Sequence, residues 1–256
     1  PIVAPLLYII CTVYGKKRCI LEVNSSAEYT LAAAAAAVCG SGAAGYDRAE
    51  YYPDGTTFFN ALFERIASAK SEVLLEFFIF SRGKIFERLI ESLETAKSNG
   101  AVIKIIIDGL GSAFKIGGRE KNRLKKLGEL KTFHRIIPLP IARHNLRDHR
   151  KIAVIDGGEA YIGGINIADE YANISCNYGY WKDSAVYVGG EAAQVFRAMF
   201  YSVWDGESRV SVKGEGKYLC LPYCDSPPAR SFCEDAYISK ILSAKRRVHI
   251  LTPYFC

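Results

Sequence analysis

His144-Asn-Leu-Arg-Asp-His-Arg-Lys151, running on through Ile152-Ala-Val-Ile155 to Asp156 and then to Gly163-Gly-Ile-Asn166, is the stretch on which the reading of this chain turns. Its spacing is His-x-Lys-x4-Asp-x6-Gly-Gly-x-Asn. His149 and Lys151 are two residues apart at the start of an apolar run, so on an incipient strand their side chains share one face. An imidazole beside an ammonium suits a phosphate diester. The imidazole can attack phosphorus, and the ammonium can offset charge on the non-bridging oxygens. Gly163 and Gly164 would let the backbone approach a ligand closely, and Asn166 could donate to a phosphate oxygen. A metal reading with His144, Asp148 and His149 lacks helical spacing and a third clear ligand.

Around this stretch the chain reads as an α/β domain. Asp156-Gly-Gly-Glu159 between Lys151–Ile155 and Ala160–Ile162 is a hairpin signal. Upstream, Thr56 or Thr57 can cap a helix carrying Phe58, Leu62, Ile66 and Ala69 at helical spacing. Residues 73–80 read as a buried strand, 84–99 as an amphipathic helix stopped by Gly100, 102–107 as a second strand, and 120–127 as a basic helix. Downstream, residues 185–188 read as a strand and 192–204 as a helix. Strands alternating with helices predict a sheet covered by helices. Glu76 sits among apolar residues in mid-strand and needs a partner. Trp204 reads as a core aromatic.

The chain has 256 residues, 50% hydrophobic and 23% charged, which excludes disordered and fibrous classes. A net charge of +6 favours anionic partners, and the basic stretch from Lys115 to Lys131 could lie on anionic lipid headgroups. Eight scattered cysteines without a Cys-x-x-Cys pair read as free thiols in a reducing compartment. The apolar opening from Pro1 to Tyr14, followed by Gly15-Lys-Lys-Arg18, reads as the tail of a membrane helix with its basic flank on the cytoplasmic side. Ile66-Ala-Ser-Ala-Lys70 followed by Val73-Leu-Leu recurs as Ile241-Leu-Ser-Ala-Lys245 followed by Val248-His-Ile, an offset of 175 (245 less 70). The expected organisation is a partial membrane helix and its flank at 1–18, a linker at 19–45, a first domain at 46–210, an inter-domain linker at 211–231 and the start of a second, similar domain at 232–256.

The five-residue pattern resembles the HKD motif of the phospholipase D superfamily. Asn145-x-Arg147-x-His149-Arg-Lys-Ile-Ala-Val-Ile-Asp156, Gly163-Gly-Ile-Asn-Ile-Ala-Asp-Glu-Tyr171, Trp181-Lys-Asp183, Thr252-Pro-Tyr-Phe255 and Asp108-x-x-Gly111-Ser112 narrow it to the bacterial type of cardiolipin synthase. The resemblance implies a phospholipase D-like α/β fold, with a mixed β-sheet flanked by helices. It implies two HKD motifs, of which this chain has one, and the repeat would place the second His near 324 (149 plus 175). The catalytic set it implies is His149, Lys151 and Asp156, with Asp156 supporting the local fold and charge balance more than touching substrate. It implies phosphate binding by Asn166, Gly163 and Gly164. Asp183 would hold the imidazole orientation and Glu76 would stand behind the site.

The implied reaction is phosphatidyl transfer between two phosphatidylglycerol molecules through a phosphohistidine, giving cardiolipin and glycerol. Neither metal nor cofactor is implied. The expected partners are phosphatidylglycerol, anionic membrane lipids and a second HKD half, with no nucleic acid. The expected location is the cytoplasmic side of the bacterial cell membrane. Two other readings stand beside this one: another phospholipase D-type phosphodiesterase or phosphatidyltransferase, and an inactive membrane-associated half-domain.

Overall fold

The computed structural model describes residues 19–23, 44–46, 48–135, 147–177, 179–205, 208–212, 218–220, 238 and 241–250. Residues 1–18, most of the two linkers, His144, Asn145 and Thr252–Phe255 lie outside them. Among the described residues no helix is long and apolar enough to cross a membrane.

The central element is a seven-stranded mixed sheet in the order β3-β9-β8-β7-β4-β5-β6. Its strands are β3 (Ala49–Tyr52), β4 (Glu72–Phe77), β5 (Val102–Asp108), β6 (Glu129–Phe133), β7 (Lys151–Ile155), β8 (Glu159–Gly163) and β9 (Ala185–Gly189). β4, β5 and β6 run parallel, joined through helices α2 (Lys84–Ser98) and α3 (Gly118–Leu127). β7, β8 and β9 form an antiparallel meander whose first strand runs against β4. Two small pairings stand apart. β1 (Cys19–Val23) runs parallel to β10 (Ser208–Val212), and β2 (Ala44–Tyr46) antiparallel to β11 (Tyr218–Cys220). The segment expected as a linker therefore contributes strands.

Both faces of the sheet are covered, so its central strands have no polar alternation. Val73, Leu75 and Phe77 of β4, with Ile103, Ile105 and Ile107 of β5, pack against α1 (Gly55–Ser68) and α2. Leu74, Ile106, Ile152 and Val154 point the other way, against Val195, Met199 and Phe200 of α4 (Glu191–Trp204). Trp204, in this second core, stacks on Phe200 with ring centroids 5.6 Å apart.

Two local details depart from the sequence reading. α1 is capped by Asp54, whose Oδ1 accepts from the Thr57 N–H at 2.9 Å, and by neither threonine. A carboxylate on an extended residue reaches the N3 amide, and Thr57 is that N3 residue. The strand expected over 73–80 ends at Phe77. Beyond it, Ile79 and Ser81 bond to Ile167 instead of to a strand neighbour.

Candidate active site

The parallel strands β4 and β5 end, and the antiparallel β7 begins, at the same rim of the sheet. Phe77 of β4 lies opposite Lys151 of β7. Open α/β sheets place ligand chemistry at the carboxyl ends of their parallel strands. His149 and Lys151 are delivered to that rim.

Both side chains rest on Phe78. The His149 ring lies 4.8 Å from the Phe78 ring, tilted by 64°, and Lys151 Nζ stands 5.4 Å from the Phe78 centroid. Lys151 Nζ also donates to the His149 carbonyl at 2.5 Å. His149 is exposed, whereas Lys151 is only 6% exposed. Burial, and then the neighbouring Lys151 ammonium, hold the His149 imidazole below its ordinary value, against the pull of Asp148 and Asp108. Burial drives Lys151 down to about 8, opposed by Asp148, Asp183 and Asp108. At neutral pH the site thus presents an uncharged imidazole beside a charged ammonium, the pairing needed for attack on a phosphate diester.

Beneath the pair lies a buried ionic layer. Asp108 accepts from the N–H groups of Leu110 (2.7 Å), Gly111 (2.9 Å) and Asp148 (3.1 Å), and pairs with Arg147 at 3.4 Å. Arg150 spans Asp148 (3.2 Å) and Glu76 (2.7 Å). Arg147 also donates to the His134 carbonyl at 3.0 Å. Glu76 and Asp108 are almost wholly buried, and each guanidinium offsets the cost of a carboxylate held out of water. This layer fixes the backbone on either side of His149. Glu76 is thus linked through Arg150 to Asp148, the residue before His149.

The Phe78–Phe80 segment is held by two side chains. Ser112 Oγ donates to the Phe78 carbonyl (3.1 Å) and accepts the Phe80 N–H (3.0 Å). Asn166 Oδ1 accepts the Ile79 N–H at 3.0 Å, and its Nδ2 donates to the Tyr171 hydroxyl at 2.6 Å. Asn166 is only 2% exposed. Its carboxamide ties the segment after Phe78 to Tyr171.

Gly163 and Gly164 are also explained from within the fold. A Cβ on Gly164 would lie 2.1 Å from Asp183 Oδ1, and one on Gly163 would lie 2.5 Å from the Ser184 carbonyl oxygen. What approaches these glycines is the start of β9 and the residues before it. Asp183 packs on Gly164 and accepts the Ser184 N–H at 2.8 Å. Its charge favours the Lys151 ammonium, and among the described residues no hydrogen bond joins it to His149. The imidazole's ring contact is with Phe78.

Asp156 sits at the far end of β7, roughly 13 to 17 Å along the strand from Lys151 at 3.3 Å per residue. Its φ of 49° is left-handed, and its carboxylate accepts the N–H groups of Lys70, Ser71 and Glu72 and the Ser71 hydroxyl. It fastens the α1–β4 turn to the β7–β8 hairpin. That places its carboxylate at the opposite end of β7 from Lys151.

Phe78 and Arg150 carry no role in the sequence reading, and Asp148 appears there only as a possible metal ligand. The signal for the ionic layer was present: two acids, Glu76 and Asp108, lie in or at the end of apolar strands, and Arg147-Asp-His-Arg150 supplies cations around the key imidazole. Phe78 carried none, being one aromatic in Phe77-Phe-Ile-Phe80.

A rim that delivers a His-x-Lys pair from the first residue of an antiparallel strand defines a phospholipase D-like domain. A family model described as the cardiolipin synthase, phospholipase D-like domain matches residues 62–204. The chain belongs to this family. A cardiolipin synthase of Listeria monocytogenes (serotype 4a) is 32% identical over 220 residues, covering 80% of this chain and 45% of the relative. Cardiolipin synthase 1 of Staphylococcus epidermidis is 30% identical over 230 residues, covering 82% and 45%. A Streptococcus mutans protein described as uncharacterized is 33% identical over 218 residues, covering 80% and 47%. The chain thus spans a little under half the length of these relatives. Among solved structures, Nuc of Salmonella typhimurium, a phospholipase D family member, is 20% identical with a TM-score of 0.46, covering 62% of this chain and 93% of that one.

Proposed function

We propose that this chain carries the nucleophilic half of a phosphatidyltransferase of the cardiolipin synthase type, with His149 as nucleophile. The observation that carries the reading is the exposed His149 imidazole and the buried Lys151 side chain held side by side on Phe78; the lowered pKa of the imidazole, from burial and the Lys151 charge, favours its uncharged form. An imidazole nitrogen of His149 attacks the phosphorus of one phosphatidylglycerol. An N–P bond forms, a P–O bond breaks, and the leaving glycerol takes up a proton. The hydroxyl of a second phosphatidylglycerol then gives up a proton, forms a P–O bond and breaks the N–P bond. The products are cardiolipin and a free His149. Lys151 neutralises the phosphoryl oxygens as charge builds. The acid and base of these steps is the His of a second, similar half. The repeat at 241–250 supports that half, and so do Ile241, Leu242, Val248 and Ile250, which are exposed in this chain.

The basic flank at Lys16-Lys-Arg18 and the bacterial origin of the relatives support a reaction at the cytoplasmic side of a bacterial membrane. The test is lipid analysis of cells that lack their own cardiolipin synthases and express the full reading frame. Cardiolipin is expected with His149 present and lost with His149→Ala. Cardiolipin that survives the substitution removes His149 from the mechanism.

A further inference from the structure

The rim that carries His149 also carries a strained, exposed apolar tip. Residues 109–117 follow β5. Within them Phe114 is 94% exposed at a φ of 61°, and Leu110 is 48% exposed. A bulky residue in left-handed backbone is disfavoured, and a phenyl ring in water gains nothing from packing. Both costs fall on one residue, and the chain holds it there firmly. The Arg82 guanidinium donates to the carbonyls of Phe114 (3.4 Å) and Lys115 (3.2 Å). Ser112 ties the loop to Phe78 and Phe80, and Ile116 anchors its far side at 3% exposure. Gly111 lies so close to Phe78 that a Cβ there would meet the Phe78 carbonyl oxygen at 2.3 Å. The tip is therefore fixed relative to the ring on which His149 and Lys151 rest.

Its surroundings are basic. Arg82, Lys84 and Arg119 are exposed around it, and Lys115 is partly exposed, with Glu170 3.7 Å away. α3 adds Lys121, Arg123, Lys125 and Lys126 against the single acid Glu120. An apolar tip ringed by cations matches the boundary between headgroups and acyl chains of an anionic bilayer.

We infer that the 109–117 loop docks the domain on an anionic phospholipid bilayer, with Phe114 and Leu110 entering the acyl boundary and Arg82, Lys115 and Arg119 meeting the headgroups. Docking in this orientation turns the rim that carries His149 toward the headgroups. The inference deepens the phospholipid reading and rests on it for its purpose.

The test uses the full chain with vesicles of phosphatidylglycerol and phosphatidylcholine, some carrying acyl chains brominated to quench tryptophan. Phe114→Trp is the reporter. Val102→Trp is the control, because Val102 is 54% exposed at the opposite end of β5, roughly 20 Å away. After subtraction of the parent signal from Trp181 and Trp204, the reporter at 114 is expected to shift to shorter wavelength and lose intensity. The reporter at 102 is expected to do neither. Repeating the measurement with His149→Ala separates docking from chemistry. Quenching at 114 that persists in that variant is docking without chemistry; with His149 intact, quenching at 114 without phosphohistidine keeps docking and sinks the catalytic reading, whereas phosphohistidine without quenching does the reverse. A reporter at 114 that stays in water on bound vesicles, or equal quenching at both sites, overturns the inference; the first result would assign Phe114 to a protein partner.

Discussion

Lys151 is an ammonium that the fold keeps nearly out of water on an aromatic ring, with its charge opposed by burial and favoured by three carboxylates. Its position gives the pH dependence of the proposed reaction. His149 must be unprotonated to attack, and its folded-state value lies below the ordinary 6.5, so the acid limb of activity falls below that pH. Lys151 must be protonated, and at about 8 it loses its proton as pH rises, so activity declines through that value. A bell narrower on its alkaline side than an ordinary lysine allows is the expected pH–rate profile. A plateau extending to pH 10 would remove Lys151 from charge neutralisation. Asp183 is one of the charges holding that proton on. Asp183→Asn is therefore expected to move the alkaline limb to lower pH and leave the acid limb in place. Gly164→Ala should do the same with added instability of about 1–3 kcal/mol, since its Cβ would occupy the place of Asp183 Oδ1. The His and Lys were legible because a period of two on a strand puts them on one face. The neighbours of Asn166, Gly163 and Gly164 were not legible, because spacing shows that a glycine or amide is required without showing what approaches it. Here the neighbours are Asp183, Ser184 and Ile79, all brought in by tertiary packing.

At the scale of elements, the central strands and the helices over them follow from pattern. Runs such as Val73-Leu-Leu and Ile105-Ile-Ile107 have no polar face because α1 and α2 cover one side and α4 the other. The weak edges, β3 and β6, carry charged and half-buried residues and gave no such signal. Asp156 belongs to this scale. Its carboxylate gathers three backbone N–H groups and one hydroxyl from the α1–β4 turn. Burial pushes its pKa up, but those hydrogen bonds win and hold it below the ordinary 3.8. Its contribution to stability is thus present above that pH and lost as the pH falls through the lower folded-state value. Asp156→Ala is expected to destabilise the fold by about 2–4 kcal/mol, read from urea unfolding. The pH–rate profile of the remaining folded protein should be unchanged. A stable variant with an altered profile would return Asp156 to the chemistry.

For the whole molecule, one rim of one sheet gathers an uncharged imidazole, a buried ammonium, the ionic layer that positions both, and the exposed Phe114 tip. The proposal completes this rim with a second His-x-Lys half. The most direct measurement is the bond that the account requires. The protein, expressed from its full reading frame, is mixed with phosphatidylglycerol radiolabelled at phosphorus, quenched in base and mapped by peptide mass spectrometry. The account predicts a base-stable, acid-labile phosphoramidate on His149, lost with His149→Asn. Cardiolipin formed while the adduct sits on a different residue, or with no N–P adduct at all, would contradict it.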